Sequence, residues 1–597
     1  MLIFFISGYS QQKTYCNPIN IDYGYTSIPN FVKQGKHRAT ADPVIVNFQN
    51  KYYLFSTNQW GYWWSEDMLN WNFIEKKFLK PENEFPSLLN NEIAPDHKMD
   101  ERHRVYDELC APAVFVMKGY MYVIGSTHGP HFALWRSKDP TKNEWEIAIN
   151  EFKVGAWDPG FLYDEDKDKL YLYWGSSNEF PLFGTEINTQ TLQSDGFVKP
   201  MISLHPEDHG WERFGEYNDN TFLQPFMEGA WVTKYKDKYY LQYGAPATEF
   251  SGYADGVYVS KNPLDGFTYQ SHNPFSYKPG GFARGAGHGA TYQDNNGNWW
   301  HVSTIILGQK NNFERRIGIW PAGFDQDDVM YCTTAYGDYP TFLPEFSKNI
   351  DFTKGLFSGW MLLNYNKPVQ VSSTLGGYSA NYVVDEDMKT YWSAKTANKG
   401  EWFQSDLGEI STVNAIQINY ADQDVEFMGK SLNVAHQYKI YASNDGKKWE
   451  VIVDKSKNKT DVPHDYIELK KPIKTRFLKL ENLNMPTGKF ALSGFRVFGK
   501  GNGKVPQKVD NFMVLRADKN KFGERRSSWI RWKQNDEADG YVIYFGKSPD
   551  KLYGSIMVYG VNDYFFTGMD RTDTYYFQIE AFNASGISER TSVIKVE

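Results

Sequence analysis

A chain of 597 residues exceeds what one hydrophobic core supports, so three or four domains are expected. Aromatic residues make up 17% of it, an excess that suits pleated strands and stacking against sugar rings. A net charge of -8 without a long basic run gives no electrostatic reason to bind nucleic acid or anionic lipid.

The opening MLIFFISGYSQQ, residues 1–12, is a short apolar run ending in small and polar residues. It has the shape of a secretory signal-peptide remnant without its basic start, which predicts a secreted or periplasmic protein. Beyond it no stretch reaches the roughly 18 apolar residues of a membrane helix, so no membrane insertion is expected. Cys16, Cys110 and Cys332 are too few, and odd in number, for a disulfide scaffold or a cysteine zinc site; they read as buried free thiols.

From 13 to 362 one unit recurs: a strand with a small or acidic start, a polar turn, then an aromatic strand. Its five copies are ADPVIVNFQNKYYLFST from Ala41, APAVFVMKGYMYVIGST from Ala111, DPGFLYDEDKDKLYLYWGSS from Asp158, EGAWVTKYKDKYYLQYGA from Glu228 and GHGATYQDNNGNWWHVSTI from Gly287. Each is a hairpin too small to bury its own apolar face, and radial packing of five such units predicts a five-bladed β-propeller with a central channel. Two further blocks, 363–500 and 505–597, are separated by Gly-Asn-Gly-Lys at 501–504, which reads as a linker. Strands such as YVIYFG from Tyr541 and TYYFQIEAFN from Thr574 predict a small β-sandwich in the last block. The whole chain is read as all-β.

In a propeller the first strand of each blade lines the channel, so equivalent starting positions converge; here they hold Asp42, Asp158, Glu228 and His288. Taken singly, each acid is equally well explained as a turn or strand-end residue. Taken together they are not a folding requirement, because converging negative charges destabilise the native state. They match what hydrolysis of a glycoside needs: a carboxylic acid to protonate the leaving oxygen and a carboxylate to attack or to activate water. A separation of about 6.5–9.5 Å would mean inversion of the anomeric centre and about 5 Å retention. The third carboxylate, Asp158, would act on Glu228 through like-charge proximity and hold it in place. His288 reads equally as a satisfied core residue or as an organiser of water or an ion.

These residues resemble glycoside hydrolase family 43, over about 17–344. Ala41-Asp42-Pro43 is similar to the family's base motif, Trp157-Asp158-Pro159 to its modulator motif and Glu228-Gly229-Ala230-Trp231 to its acid motif, with Ala230 where many members have Pro. Ala111-Pro112-Ala113-Val114 and Gly287-His288-Gly289 resemble the blade-two and blade-five signatures. The resemblance implies a five-bladed, inverting glycosidase with Asp42 as base, Glu228 as acid and Asp158 as modulator, and no cofactor for the chemistry. It also implies a structural calcium or water cluster held by His288 in the channel, and a substrate-binding arginine at Arg315 or Arg316, of which Arg316 is favoured. Asn58 and Trp60, after the second strand of blade one, are candidate sugar contacts, with blade packing an equal reading for Trp60.

Residues 363–500 resemble a discoidin-like (coagulation factor 5/8 type C) β-sandwich through YVVDEDMKTYWSA from Tyr382, WFQSDLG from Trp402, YKIYASNDGKKW from Tyr438 and TRFLKLENL from Thr475. That implies a structural calcium near Asp385 and Asp387, an oxygen-rich loop suited to a hard cation. Residues 505–597 resemble a fibronectin type III domain, with a spacer or interaction role. The expected partner is an oligo- or polysaccharide, and the expected reaction is exo-release of α-L-arabinofuranose or a related furanose or pentose. β-Xylosidase and β-galactofuranosidase specificities are alternatives, as is a non-catalytic glycan-binding or adhesion protein. A retaining propeller enzyme is disfavoured because Asp42 follows Ala and no Asn-Asp-Pro-Asn-Gly signature occurs.

Overall fold

A computed structural model of the protein describes residues 13–26, 36–57, 59–78, 109–126, 132–152, 154, 157–194, 196–343, 355–427, 429–430, 433–521 and 523–597. The signal-peptide reading at 1–12 falls outside them. Among them, five four-stranded antiparallel sheets follow one another, each ordered as its strands occur in sequence. They begin with Ala41–Phe48, Cys110–Met117, Gly160–Asp164, Glu228–Tyr235 and Arg284–Gln293. These five first strands abut one another in order, and the fifth abuts the first, which closes the ring of a five-bladed propeller.

The local sequence explains the blades. Ala41–Phe48 turns into Lys51–Thr57 through Gln49 and Asn50, and Cys110–Met117 into Tyr120–Ser126 through Lys118 and Gly119. All four turn residues have positive φ, the pair of left-handed residues that matches the twist of a two-residue hairpin. Second strands such as Lys51–Thr57 and Lys238–Ala245 are flanked in their sheet and covered on both faces by adjacent blades. They are therefore apolar almost throughout rather than alternating.

The second domain is an eight-stranded set built on two long strands, Trp402–Tyr420 and His464–Asn484, which bend at bulges near Asp406 and Val413. They wrap a core of Trp392, Phe403, Phe490, Phe495 and Leu480. The strand Met361–Leu362 pairs with Ala491–Lys500 of this sheet, so the domain starts before the expected boundary at 363. The third domain packs a three-stranded sheet from Met513–Arg516, Ser528–Arg531 and Asp563–Phe566 against a five-stranded sheet centred on Gly540–Gly546 and Tyr575–Asn583. Its core, with Ile530, Phe566, Ile543 and Phe577, is continuous with Trp211 and Tyr243 of the propeller.

Both appended domains are docked, not tethered. Between propeller and second domain, the buried Arg38 guanidinium pairs with Asp422 at 2.5 Å and Asp461 at 2.7 Å, and Arg316 lies 3.6 Å from Asp422. The third domain meets blades four and five, where Tyr336 donates to Glu580 and Gly210 N–H to Met569 O. The segment 501–504 is fastened as well: Gly501 N–H bonds Ala584 O and Asn502 N–H bonds Glu409. The free-linker expectation is thus corrected. So is the burial of all three thiols, since Cys16 and Cys332 are buried and Cys110 is exposed.

Candidate active site

Every blade carries a residue of positive φ at the same point of its entry: Asp42 (51°), Ala111 (39°), Asp158 (45°), Gly229 (67°) and His288 (45°). Four of the five are not glycine, a left-handed conformation that is costly and concentrates at functional sites. Hydrogen bonds from the preceding blade hold three of them. Thr304 Oγ1 accepts the Asp42 amide at 3.0 Å, Thr57 Oγ1 the Ala111 amide at 2.7 Å and Ser126 Oγ the Asp158 amide at 2.8 Å. Asp42, Asp158 and His288 therefore share one phase of the repeat. Glu228 does not: it stands one residue earlier, in line with Ala41, Trp157 and Gly287, because the left-handed residue of blade four is Gly229.

The side chains nonetheless converge. His288 Nδ1 lies 3.2 Å from Asp42 Oδ1 and 3.8 Å from Asp158 Oδ2. Asp158, Glu228 and His288 each present one atom within 4.8 Å of the others'. Glu228 is held from two sides, by Tyr253 OH at 2.6 Å and Ser176 Oγ at 3.1 Å. The Tyr253 ring in turn packs where a side chain on Gly287 would have to be, which explains that glycine. Arg315 NH1 lies 3.8 Å from Asp42 and donates to Thr248 Oγ1 at 2.6 Å. Its buried Nε–H has no acceptor among the described residues.

Electrostatics separates the two buried aspartates. Burial works to raise the Asp42 carboxyl, but the His288 and Arg315 charges and the Thr57 hydroxyl outweigh it and hold Asp42 below the usual range. Asp158 is pushed up to about 7 by burial and by the Glu228 and Asp42 charges, against His288. Burial works to lower His288, but the Asp42, Asp158 and Glu228 charges outweigh it and raise His288 above the usual imidazole range. The cluster thus sets one carboxyl held below the usual range, Asp42, against one pushed above it, Asp158.

Asp158, Glu228 and His288 form a donor set that could hold a cation in the channel, with oxygens beyond these two carboxylates left to solvent. The side chains of the Asp385 and Asp387 loop are already engaged. Asp385 Oδ1 accepts the Asp387 amide and its Oδ2 the Thr390 hydroxyl; Asp387 accepts the Lys389 amide and lies 3.5 Å from the Arg284 guanidinium. Among the described residues neither joins a group of three ligand-type side chains.

Arg316, the favoured arginine, faces away from the cluster. It is buried against the second domain, donating to His464 Nε2 at 2.8 Å and Arg38 O at 2.7 Å. Adjacent strand residues face opposite ways, so its neighbour Arg315 takes the channel side. Trp60 is buried with its ring over Gly24, the packing reading, and Asn58 lies outside the described residues. Sequence reasoning missed Thr57, Ser126, Ser176 and Thr304, although the repeats end in Ser-Thr, Ser-Thr, Ser-Ser and Ser-Thr there. It also missed Thr248 and Tyr253, in a segment without periodicity.

The sequence profile of Glycosyl hydrolases family 43 matches residues 29–330, half of the chain. The chain belongs to that family. This family-43 glycoside hydrolase also matches the F5/8 type C domain over 368–494, which identifies its second domain. No curated protein sequence matches it. Solved structures similar to it include a glycoside hydrolase at 16% identity, covering 79% of this chain and 99% of the other with a TM-score of 0.43. An endo-1,4-beta-xylanase from Bacteroides thetaiotaomicron shares 19% identity over 51% and 97%, TM-score 0.39. An alpha-L-arabinanase from Cellvibrio cellulosa complexed with arabinohexaose shares 17% over 50% and 96%, TM-score 0.36.

Proposed function

We propose that this hydrolase is an inverting exo-glycosidase that releases a terminal sugar, α-L-arabinofuranose or a related furanose or pentose, from polysaccharide side chains. The observation that carries the reading is the opposite electrostatic setting of two buried carboxyls that both approach His288, at 3.2 and 3.8 Å: Asp42 held below the usual range, Asp158 pushed up to about 7. In this reading Asp42 takes a proton from the attacking water and His288 holds it charged. Glu228, half-buried and oriented by Tyr253, gives the proton to the leaving oxygen. Asp158 also holds His288, at 3.8 Å. The free Nε–H of Arg315 is a donor for a sugar hydroxyl.

The third domain is read as fibronectin type III-like, and the protein as exported. Proton NMR of the first sugar released should show the inverted anomer; a retained anomer would remove Asp42 as base. A panel of nitrophenyl furanosides and pentosides identifies the sugar, and arabinofuranoside is expected to be cleaved fastest.

A further inference from the structure

One loop of the F5/8 type C domain reaches the segments that aim the site of the neighbouring domain. Met388 O accepts Gln309 Nε2 at 2.8 Å, and Lys389 Nζ pairs with Glu216 Oε1 at 2.9 Å. Gln309 lies in the segment 307–314 that leads into Arg315. Glu216 also accepts both the amide and the hydroxyl of Ser251, at 2.9 and 2.6 Å. Ser251 belongs to the segment 246–253, which supplies Thr248 to Arg315 and Tyr253 to Glu228. The next residue, Tyr217, is held by the third domain, whose Thr567 donates its hydroxyl to Tyr217 O. The carboxylate of Glu216 is thus a junction: one bond leads to another domain and two lead to the segment that orients the acid.

We propose that Lys389 is a positioning residue of the glycosidase site, acting through Glu216 and Ser251 on Tyr253 and Glu228, so that the F5/8 type C domain completes the site of its neighbour. The inference rests on the glycosidase reading. A half-exposed pair of this kind adds little to stability, so its removal leaves the fold in place. Displacement of an oriented catalytic group by a fraction of an ångström, however, lowers turnover measurably.

The test uses the full chain and two glycosides of whichever sugar the wild type cleaves, one with a dinitrophenol leaving group and one with a sugar leaving group. Lys389→Met should lower kcat about five- to tenfold on the sugar-linked substrate and less than about twofold on the activated one. Lys389→Arg should restore both to within about twofold, because it rebuilds the bond to Glu216. Glu216→Gln, which weakens the junction from the other side, should give the same selective loss if Lys389→Met misfolds. Equal slowing of both substrates, or none, overturns the positioning role while leaving the glycosidase reading intact. No cleavage of any glycoside by the wild type overturns both.

Discussion

Thr57 donates its hydroxyl proton to Asp42 Oδ2 at 2.6 Å and accepts the amide of Ala111 at 2.7 Å, so one side chain ties the candidate base of blade one to the strained entry of blade two. Both bonds are buried. Thr57→Val removes a donor that helps hold Asp42 ionised, and the Asp42 carboxyl rises. The acidic limb of kcat/KM should move up by about one pH unit, since a hydrogen bond to a charged group is worth about 1.5–3 kcal/mol and one unit about 1.4. The stranded Ala111 amide should cost a further 1–3 kcal/mol, roughly, of stability. Thr57→Ser should reverse both effects. An unmoved acidic limb in a folded Thr57→Val enzyme would detach Thr57 from the base.

The interface of propeller and F5/8 type C domain makes a second prediction. Asp422 sits between the Arg38 and Arg316 guanidiniums, 2% exposed itself. Burial works to raise its carboxyl, but the two arginines hold it below the usual range. Its contribution to stability is therefore present above about pH 4 and is lost as pH falls toward the depressed folded value. Asp422→Ala leaves the buried Arg316 without a carboxylate and Arg38 with Asp461 alone, which costs about 3–5 kcal/mol in denaturant unfolding at pH 7. For the same reason a chain ending at residue 362 should aggregate instead of cleaving small aryl glycosides. A soluble, active 1–362 fragment would show that this ion cluster is not needed for folding.

How much of this was legible follows from the physics of each signal. The blades were, because a repeat of hairpins needs only local pattern and turn chemistry. The convergence of Asp42, Asp158 and His288 was too, since left-handed entry residues recur with the repeat; the one-residue offset of Glu228 was not, because Gly229 takes that conformation without any signature of its own. The choice between Arg315 and Arg316 was undecidable: Arg315–Phe324 is buried on both faces, and the partners Ile306 and Ile305 are equally apolar, so no alternation marks the channel side. Domain docking left no trace either. Arg38 and Asp422 are 384 residues apart, and each alone reads as an ordinary surface charge.

Asp158 gives a pH signature that a structural carboxylate on the surface would not. Its folded value of about 7 lies above the ordinary 3.8, so between about pH 4 and 7 the native state binds more protons than the unfolded chain, and stability falls as pH rises. Asp158→Asn abolishes that slope. Its Tm should match the wild type near pH 4 and exceed it near pH 8, while turnover falls. Tm differences that do not change with pH would mean that Asp158 titrates normally.

The sharpest outcome concerns Glu228, which Tyr253 and Ser176 orient at the edge of the cluster while leaving it half-buried. A general acid matters in proportion to the basicity of the leaving oxygen. Glu228→Gln keeps the size and one accepting oxygen but has no proton to give. It should lower kcat by about 100- to 10,000-fold on a sugar-linked substrate and far less on a dinitrophenyl glycoside, whose phenolate departs unaided. Asp42→Asn should lose the same order on both, because activation of water is needed whatever leaves. The two variants side by side therefore assign the two roles without knowledge of the sugar. Should Glu228→Gln slow both substrates equally, Glu228 binds sugar or supports the fold, and the proton must come from another group.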